Sequence, residues 1–268
     1  MRIVTGIGIL SVAVFGSVVS SQAEERLKDY IYNPDGSFYE KSLTSRSQLR
    51  GSGYVEASGG ASYAQSTEDY VNRFGLRGSY GRVISANWHL QTDIDYEYAS
   101  TDTASGDRFF GTLHLATRFP NDFALGAFGQ FGMSGANGVT QHGFGVEGAS
   151  YSERSTVYGR VGYAGLSYSG NTGGELFATL GARGYFHDNA ALEAEANVSQ
   201  DFGSARATAL IRRPNTNATF SLTARYDATL DDNLDQGVIT GLAAVRYSFG
   251  SNSLKQEERE GVIWQPVR

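Results

Sequence analysis

The chain has 268 residues, of which 34 are glycine, 16 tyrosine and 15 phenylalanine, and none is cysteine. Average glycine usage is about 7%, so this composition favours β-structure over a helical solenoid or coiled coil, and the lack of cysteine excludes a disulfide-stapled module. The 22 basic and 28 acidic side chains give a net charge of −6, which argues against a nucleic-acid-binding protein, because such proteins carry a basic excess.

Residues 1–23 have the organisation of a secretory signal peptide. A short basic start precedes an apolar run over residues 3–19, and the small residues Ser21 and Ala23 stand at positions −3 and −1 of a cleavage site. The run is too short and too rich in glycine and serine for a transmembrane anchor, and export without cysteine fits a bacterial envelope. We predict cleavage after Ala23, followed by a periplasmic segment or small plug hairpin over residues 24–50.

From residue 51 to 250 the side chains alternate with a period of two. In the clearest segment, residues 88–98, every second side chain is mostly apolar or aromatic, whereas Asp93, Asp95 and Glu97 share the opposite face. Such a strand fits a bilayer on one side and a polar lumen on the other. The pattern predicts an all-β fold, a transmembrane antiparallel up-and-down β-barrel of about twelve strands, with ten or fourteen as alternatives. The predicted strands are 52–64, 70–83, 87–99, 107–119, 123–133, 140–151, 156–168, 174–186, 190–202, 205–213, 217–229 and 237–249.

The connections between these strands differ at the two ends of the predicted barrel. After even-numbered strands they are short and contain turn formers, as in 120–122 and 187–189. After most odd-numbered strands they are longer and richer in Gly, Ser, Thr and Asp, as in 100–106, 134–139, 169–173 and 230–236. Outer-membrane barrels have short periplasmic turns and longer extracellular loops, so the short connections and both termini are predicted to be periplasmic.

Aromatic residues on the apolar face form two bands. One band lies near the short turns and consists of Trp88, Phe119, Phe123, Phe186, Tyr247 and Phe249, together with Tyr80. The other lies near the opposite end and consists of Tyr63, Tyr98, Phe109, Phe131, Tyr163 and Tyr226. Two such bands match the interfacial girdles of a membrane barrel. The alternative, a soluble β-sandwich or lipocalin-like barrel, would turn its aromatics inward and is disfavoured.

The last predicted strand carries a family resemblance. It ends in alternating Val245, Tyr247 and Phe249, and it resembles the C-terminal strand that the barrel-assembly machinery recognises in Gram-negative outer-membrane proteins. The polar continuation resembles tails found after the barrel in some alphaproteobacterial porin-like proteins, although the family norm ends the chain at the aromatic residue. The resemblance implies an outer-membrane location, with 251–268 as a periplasmic tail whose apolar anchor is Trp264.

The face opposite the apolar one is predicted to line the lumen. It carries nine arginines and eight acids, so the interior is nearly neutral. The predicted pore-lining residues are Arg73, Arg77, Asp93, Asp95, Glu97, Arg118, Glu147, Arg160, Arg183, Glu193, Glu195, Arg206, Arg212, Arg225 and Arg246, and Glu56 and Asp227 complete the charged set.

Hairpin registers estimated from the short turns bring opposite charges together, since residues equidistant from a turn centre face each other. A centre at Ser85 predicts Arg77 opposite Asp93 and Arg73 opposite Glu97. The next two predicted pairs are Glu147 with Arg160, and Arg183 with Glu193, from turns centred at 153–154 and 188.

Three interpretations of this interior remain open. The ion pairs stabilise a closed barrel, or they line a pore, or they surround an active site. In the pore, arginines on strands 7 to 12 would face a more acidic wall on strands 1 to 3 and filter small polar solutes. Twelve strands lie between filled eight-stranded barrels and open sixteen-stranded porins, which fits a narrow channel.

Catalysis is the least favoured interpretation. Of the four histidines, His142 faces lipid and His187 lies in a turn, while His89 and His114 have no Ser/Asp constellation nearby in the sequence. The acidic stretch 231–235 fits a solvated loop better than a calcium site. We therefore predict no enzyme activity, no cofactor and no metal.

The sequence as a whole predicts an outer-membrane porin-like channel for passive diffusion of small hydrophilic or anionic solutes. The alternative is a closed structural or surface-interaction barrel without transport, and a barrel hydrolase is the third. The expected partners are outer-membrane lipid and lipopolysaccharide, the barrel-assembly machinery during biogenesis, and small polar solutes, but not nucleic acid. The oligomeric state is left open.

Overall fold

The computed structural model describes residues 51–84, 88–119, 122–135, 138–168, 171–230, 237–262 and 264. The predicted signal peptide, the segment 24–50 and the acidic stretch 231–235 lie outside the described residues. Within the described ranges, no helix has the length and apolar character needed to cross a membrane.

Twelve strands and one short helix make up the described chain, and they confirm the predicted all-β fold. The strands are β1 (Ser52–Ala64), β2 (Asp69–Val83), β3 (Trp88–Ser100), β4 (Ser105–Phe119), β5 (Phe123–Ser134), β6 (Val139–Tyr151), β7 (Ser155–Tyr168), β8 (Asn171–His187), β9 (Ala190–Ser199), β10 (Phe202–Arg212), β11 (Ala218–Thr229) and β12 (Gly237–Phe249). The helix, α1, spans Leu254–Glu260.

The strands form one closed antiparallel barrel. Each strand pairs with its neighbours in the sequence, and β1 pairs with β12 from Gly53 opposite Phe249 to Ala64 opposite Val238. This closing ladder leaves no free sheet edge, which is what a barrel in an apolar medium requires. The predicted strand number of twelve is therefore confirmed over the alternatives of ten and fourteen.

The prediction of longer loops at one end of the barrel is wrong for most of the connections. β3 ends at Ser100 and β4 begins at Ser105, and β7 ends at Tyr168 while β8 begins at Asn171. Some of the small polar residues of these segments, such as Ser105, Gly106, Thr172 and Gly173, belong to the strands, because ladder hydrogen bonds join backbone groups whatever the side chain. The connection between β11 and β12 keeps its predicted length.

The outer face of the barrel is apolar. Leu176, Phe186 and Leu222 are exposed by 75%, 80% and 68%, although each lies within a strand. An extensive apolar surface is rare on a soluble monomer, and outer-membrane barrels carry one where they face lipid. The alternation seen in the sequence is thus a division between an apolar outside and a charged inside.

Aromatic side chains ring this outer face at both ends. At the end where β1 begins and β12 ends, the exposed rings are Trp88, Phe119, Phe123, Phe186, Tyr247 and Phe249. Tyr98, Phe131 and Tyr226 are exposed near the opposite end. Their positions are those in which aromatic rings meet a membrane–water interface.

Replacing Leu222 with Arg tests the orientation of the outer face. The substitution places a charge on the apolar side of β11, and it is expected to lower the free energy of unfolding in lipid vesicles by about 2–4 kcal/mol. Asn217→Arg in the preceding turn is the control, and it should change stability by about 1 kcal/mol or less. Denaturant titration followed by gel mobility measures both; a Leu222→Arg protein as stable as the parent would contradict a lipid-facing β11.

Candidate functional site in the barrel lumen

The inward faces of the strands enclose a lumen crowded with charged side chains. Among the described residues, every charged side chain that the sequence assigns to the lumen has a polar partner there. Burying an unpaired ion costs several kcal/mol, so these contacts are a condition for the fold.

Two of the three predicted hairpin registers are confirmed. Glu147 lies opposite Arg160 across β6 and β7, and Arg183 lies opposite Glu193 across β8 and β9. Arg183 and Glu193 form an ion pair through Nε and Nη2. The Glu147 carboxylate instead accepts a contact from His114 Nδ1 at 2.8 Å.

The predicted register of β2 and β3 is wrong by two residues. Arg77 lies opposite Asp95 rather than Asp93, and Arg77 Nε is 2.9 Å from Asp95 Oδ2. The connection closes through the amide of Ile84, which donates to the Trp88 carbonyl at 2.9 Å, so the turn centre lies one residue later than predicted. Because turn geometry sets register, every cross-strand pair shifts by two.

Arg73 keeps its predicted partner despite this shift. It lies opposite Ala99, yet its Nη1 forms an ion pair with Glu97 along the diagonal. Arg108 on β4 approaches the same carboxylate at 2.8 Å. The sequence argument missed Arg108, although it shares the inward parity of Arg118 and could have been found from that parity.

The arginines predicted as a basic wall carry their own acids. Glu193 contacts both Arg183 and Arg206, the latter at 3.1 Å, and Arg206 also lies 3.1 Å from Glu195. Glu195 in turn lies 3.5 Å from Arg160. Charge is therefore neutralised locally on each side of the barrel, and the predicted contrast between a basic and an acidic wall is weakened.

His114 lies at the centre of a buried acidic pair. Its Nε2 is 2.9 Å from Asp93 and its Nδ1 is 2.8 Å from Glu147, and the ring is 0% exposed. The Ser79 hydroxyl donates to Asp93 rather than to the imidazole. Since a general base must reach the hydroxyl it activates, this arrangement fits a structural bridge between β3, β4 and β6.

The C-terminal segment enters the lumen after β12. The chain turns at Gly250, whose φ is 79°, and the Ser253 hydroxyl caps α1 by accepting from the Gln256 amide at 3.0 Å. Leu254 packs with Tyr185 and neighbouring apolar residues of the wall. The segment predicted as a tail beyond the barrel thus occupies the mouth at which β1 begins and β12 ends.

Two consecutive glutamates of α1 complete the ion pairs of the wall. Glu257 contacts Arg212 and lies 3.3 Å from Arg246. Glu258 lies 3.5 Å from Arg183. Both glutamates are buried. The acidic side chains of the segment predicted as a periplasmic tail allow it to enter a lumen rich in arginine.

The wall also holds the backbone of this segment. Arg118 Nη2 donates to the Glu258 carbonyl at 2.9 Å. Arg259 reaches outward to the carbonyls of Ser152 and Ser155 at 2.6 and 3.0 Å. These contacts attach α1 to the connection between β6 and β7.

Beyond α1, the chain passes along β2 and β3. Gly81 permits the approach, because a Cβ at this position would lie 2.4 Å from the Gly261 carbonyl oxygen. Gln91 then binds Trp264 in both directions, donating to its carbonyl at 2.8 Å and accepting from its amide at 3.0 Å. Trp264 is 2% exposed and packs in a cluster with inward alanines and tyrosines. We call the described residues 251–262 and 264 the mouth segment.

Little space remains between the paired side chains. A cavity of about 30 Å³ is lined by Glu56, Arg77, Arg206 and neighbouring residues, and one of about 20 Å³ lies next to it, beside Arg73 and Glu97. A single water needs roughly 10–15 Å³ by the same measure. These two cavities have room for a few waters, so passage of a larger solute through this part of the lumen needs movement of side chains or of the mouth segment.

Known proteins share the architecture of the chain but not its sequence. No family model matches the chain, and no curated protein matches it in sequence. It is similar to an outer membrane channel from Pseudomonas putida F1, with 13% identity, a TM-score of 0.57, and coverage of 74% of this chain and 94% of that one.

Two porins are also similar in structure. The KdgM porin in complex with disordered oligogalacturonate matches with 8% identity and a TM-score of 0.52, over 73% of this chain and 99% of that one. The NanC porin matches with 12% identity and a TM-score of 0.52, over 72% and 98%. The fold is that of outer-membrane β-barrel porins. At these identities the likeness concerns the fold alone.

Removing one acid from the lumen tests the energetic role of the pairs. Glu193→Ala leaves the buried Arg183 and Arg206 without their shared carboxylate and is expected to lower the free energy of unfolding by about 3–5 kcal/mol. Asp227→Ala is the control, because its partner Arg225 is 21% exposed, and it should cost about 1 kcal/mol or less. Urea unfolding in detergent compares them; equal losses would contradict the assignment of Glu193 as a central buried partner.

Proposed function

We propose that the protein is an outer-membrane porin-like channel through which small hydrophilic solutes, including anions, diffuse passively. The observation that carries the proposal is the division of the closed barrel into an apolar outside and an inside lined by paired arginines and carboxylates. A lumen of this kind can replace the hydration of a polar solute. The fold shared with porins and channels supports the same conclusion.

The mouth segment is a removable closure in this proposal. Side-chain contacts and a few backbone hydrogen bonds hold it, whereas the strands are joined by continuous ladders. Local opening is cheapest where fewest contacts break. Displacement of the segment would unblock this end of the lumen and leave the barrel closed on itself.

The proposal also covers the orientation of the barrel in the membrane and its route of assembly. The mouth segment lies at the end of the barrel where β1 begins and β12 ends. In outer-membrane barrels, this end is periplasmic. The proposal includes export by the signal peptide and insertion by the barrel-assembly machinery. It also includes contact with lipopolysaccharide and an alphaproteobacterial type of C-terminal tail. The arrangement around His114 gives no support to catalysis.

A closed structural or surface-interaction barrel is the second candidate, and the mouth segment favours it. Trp264 is buried, and Glu257 and Glu258 are enclosed by arginines, which is what a permanent plug would show. The two candidates differ in whether the closure can be displaced without unfolding the barrel.

Conductance in planar bilayers separates these candidates. Gly81→Leu would place a side chain where the Gly261 backbone packs, so it should displace the mouth segment and lengthen the conducting state severalfold relative to the parent protein. Gly241→Leu is the matched control, because a Cβ there meets nothing within 4 Å, and its openings should resemble those of the parent. Silence of all three folded proteins would support the closed barrel.

Charge selectivity is tested with a pair of opposite substitutions. Arg160 and Glu195 are partners at 3.5 Å; Arg160→Gln makes the net charge of the lumen more negative by one, and Glu195→Gln makes it more positive by one. Reversal potentials in a salt gradient should shift toward cation selectivity for the first and toward anion selectivity for the second, because a narrow lumen focuses such charges. Unchanged potentials in both would place the conduction path elsewhere.

A further inference from the structure

Three arginines converge on the mouth segment from separate strands of the wall. Arg183 lies on β8, Arg212 on β10 and Arg246 on β12, and all three are buried. The donors belong to the barrel and the acceptors belong to α1. The wall therefore presents two sets of anion-binding groups, and the mouth segment supplies one carboxylate to each.

The first set surrounds Glu257. Its carboxylate contacts Arg212 Nη2 and lies 3.3 Å from Arg246 Nη1. Arg212 is positioned by the Thr219 hydroxyl at 3.1 Å and the Ser248 hydroxyl at 2.6 Å. Nη1 donates to the Ser251 hydroxyl of the mouth segment at 3.4 Å, but the two shorter contacts come from the barrel wall, so they hold the guanidinium independently of α1.

Arg246 is held by the wall in the same way. Its Nε donates to Glu56 at 2.9 Å, and its guanidinium lies 3.7 Å above the centre of the Tyr54 ring. One edge of the guanidinium is left for an anion in the mouth. A planar guanidinium fixed at its other edge is suited to bind a carboxylate.

The second set surrounds Glu258. Its Oε2 accepts hydrogen bonds from the Tyr185 hydroxyl at 2.7 Å and the Thr156 hydroxyl at 2.9 Å, and its Oε1 lies 3.5 Å from Arg183 Nη1. Three donors for one carboxylate make a complete anion site. Its donors come from β7 and β8, and its glutamate directly follows Glu257 in α1.

The donors of both sets lose one acceptor each when the mouth segment leaves. Among the described residues, Glu257 is the carboxylate that contacts Arg212, and with α1 in place Arg212 is 1% exposed. Arg183 and Arg246 keep Glu193 and Glu56 as partners on the wall. An open mouth therefore presents charged donors without the carboxylates of α1, and a soluble anion can take the place of those carboxylates.

We propose that the two sets of donors form a binding site for a small solute with two carboxylates, and that this solute opens the channel by replacing Glu257 and Glu258. The mouth segment is then a tethered competitor, which closes the lumen until the solute takes its place. The proposal rests on the proposed channel for its physiological meaning, but the binding site itself does not depend on transport. Once one carboxylate of the solute has bound to one set, the other carboxylate binds to the second set in an intramolecular step, which raises the overall affinity.

The chain supplies its own reporter for this exchange. It contains two tryptophans, and Trp88→Phe removes the one on the outer surface, so that the buried Trp264 alone reports on the mouth segment. Adding glutarate to the detergent-solubilised full chain should shift Trp264 emission to longer wavelength in a saturable manner as the segment leaves. Pentanediol at equal ionic strength should cause no shift.

Competition provides the sharper test. Glu257→Gln and Glu258→Gln together weaken the tethered competitor, so the glutarate concentration at half-saturation should fall by about tenfold or more, because the binding-competent fraction rises. Lys255→Gln is the matched control on the same helix, since Lys255 reaches Asp188 at 3.7 Å on the surface, and it should leave half-saturation within about twofold of the parent.

Several outcomes would overturn the proposal. These are a glutarate response of the same strength in the double Gln variant, an equal response to inorganic phosphate or chloride, or no response in a protein whose barrel is folded. The fluorescence readout does not need transport, so the two proposals can fail separately. Glutarate competition without conductance would support the binding site and contradict the channel. Conductance without glutarate competition would support the channel and contradict the binding site.

Discussion

The structure depends on the requirement that ions inside a barrel be paired. An ion removed from water is stable only with a partner and further hydrogen bonds, and the lumen holds many ions, which lie on eleven of the twelve strands. Arg77 with Asp95 and Arg183 with Glu193 therefore join neighbouring strands as well as neutralising each other. The same pairs oppose any slip of register, since a shift of one residue would turn each charge toward the apolar outside.

The position of the mouth segment is a consequence of the requirement that buried ions be paired. The wall places Arg183, Arg212 and Arg246 at one end of the lumen, and Glu257 and Glu258 complete them. A polar helix of seven residues would be marginal in water, and here its buried carboxylates hold it in place. The contacts that close this end of the lumen are therefore the same contacts that pair its buried charges.

This arrangement bears directly on function. Charge is balanced locally among the described residues of the lumen, which weakens the predicted contrast between a basic and an acidic wall, and the arginines that contact α1 lie at the mouth. In the proposed channel, selectivity would reside where the carboxylates of α1 and a solute compete, and the contacts of the mouth segment would decide when the lumen is open.

The sequence by itself determined the strands, their number and the face each side chain takes, because an alternation with period two is local and needs no knowledge of neighbours. It also determined the register of Glu147 with Arg160, whose turn is short and symmetric. It did not determine the β2–β3 register or the strand ends, because turn geometry and backbone ladders decide them and small polar side chains are compatible with either state. Only the closed barrel brings β8, β10 and β12 around one point, so only the tertiary structure could turn a charged tail into the partner of three buried arginines.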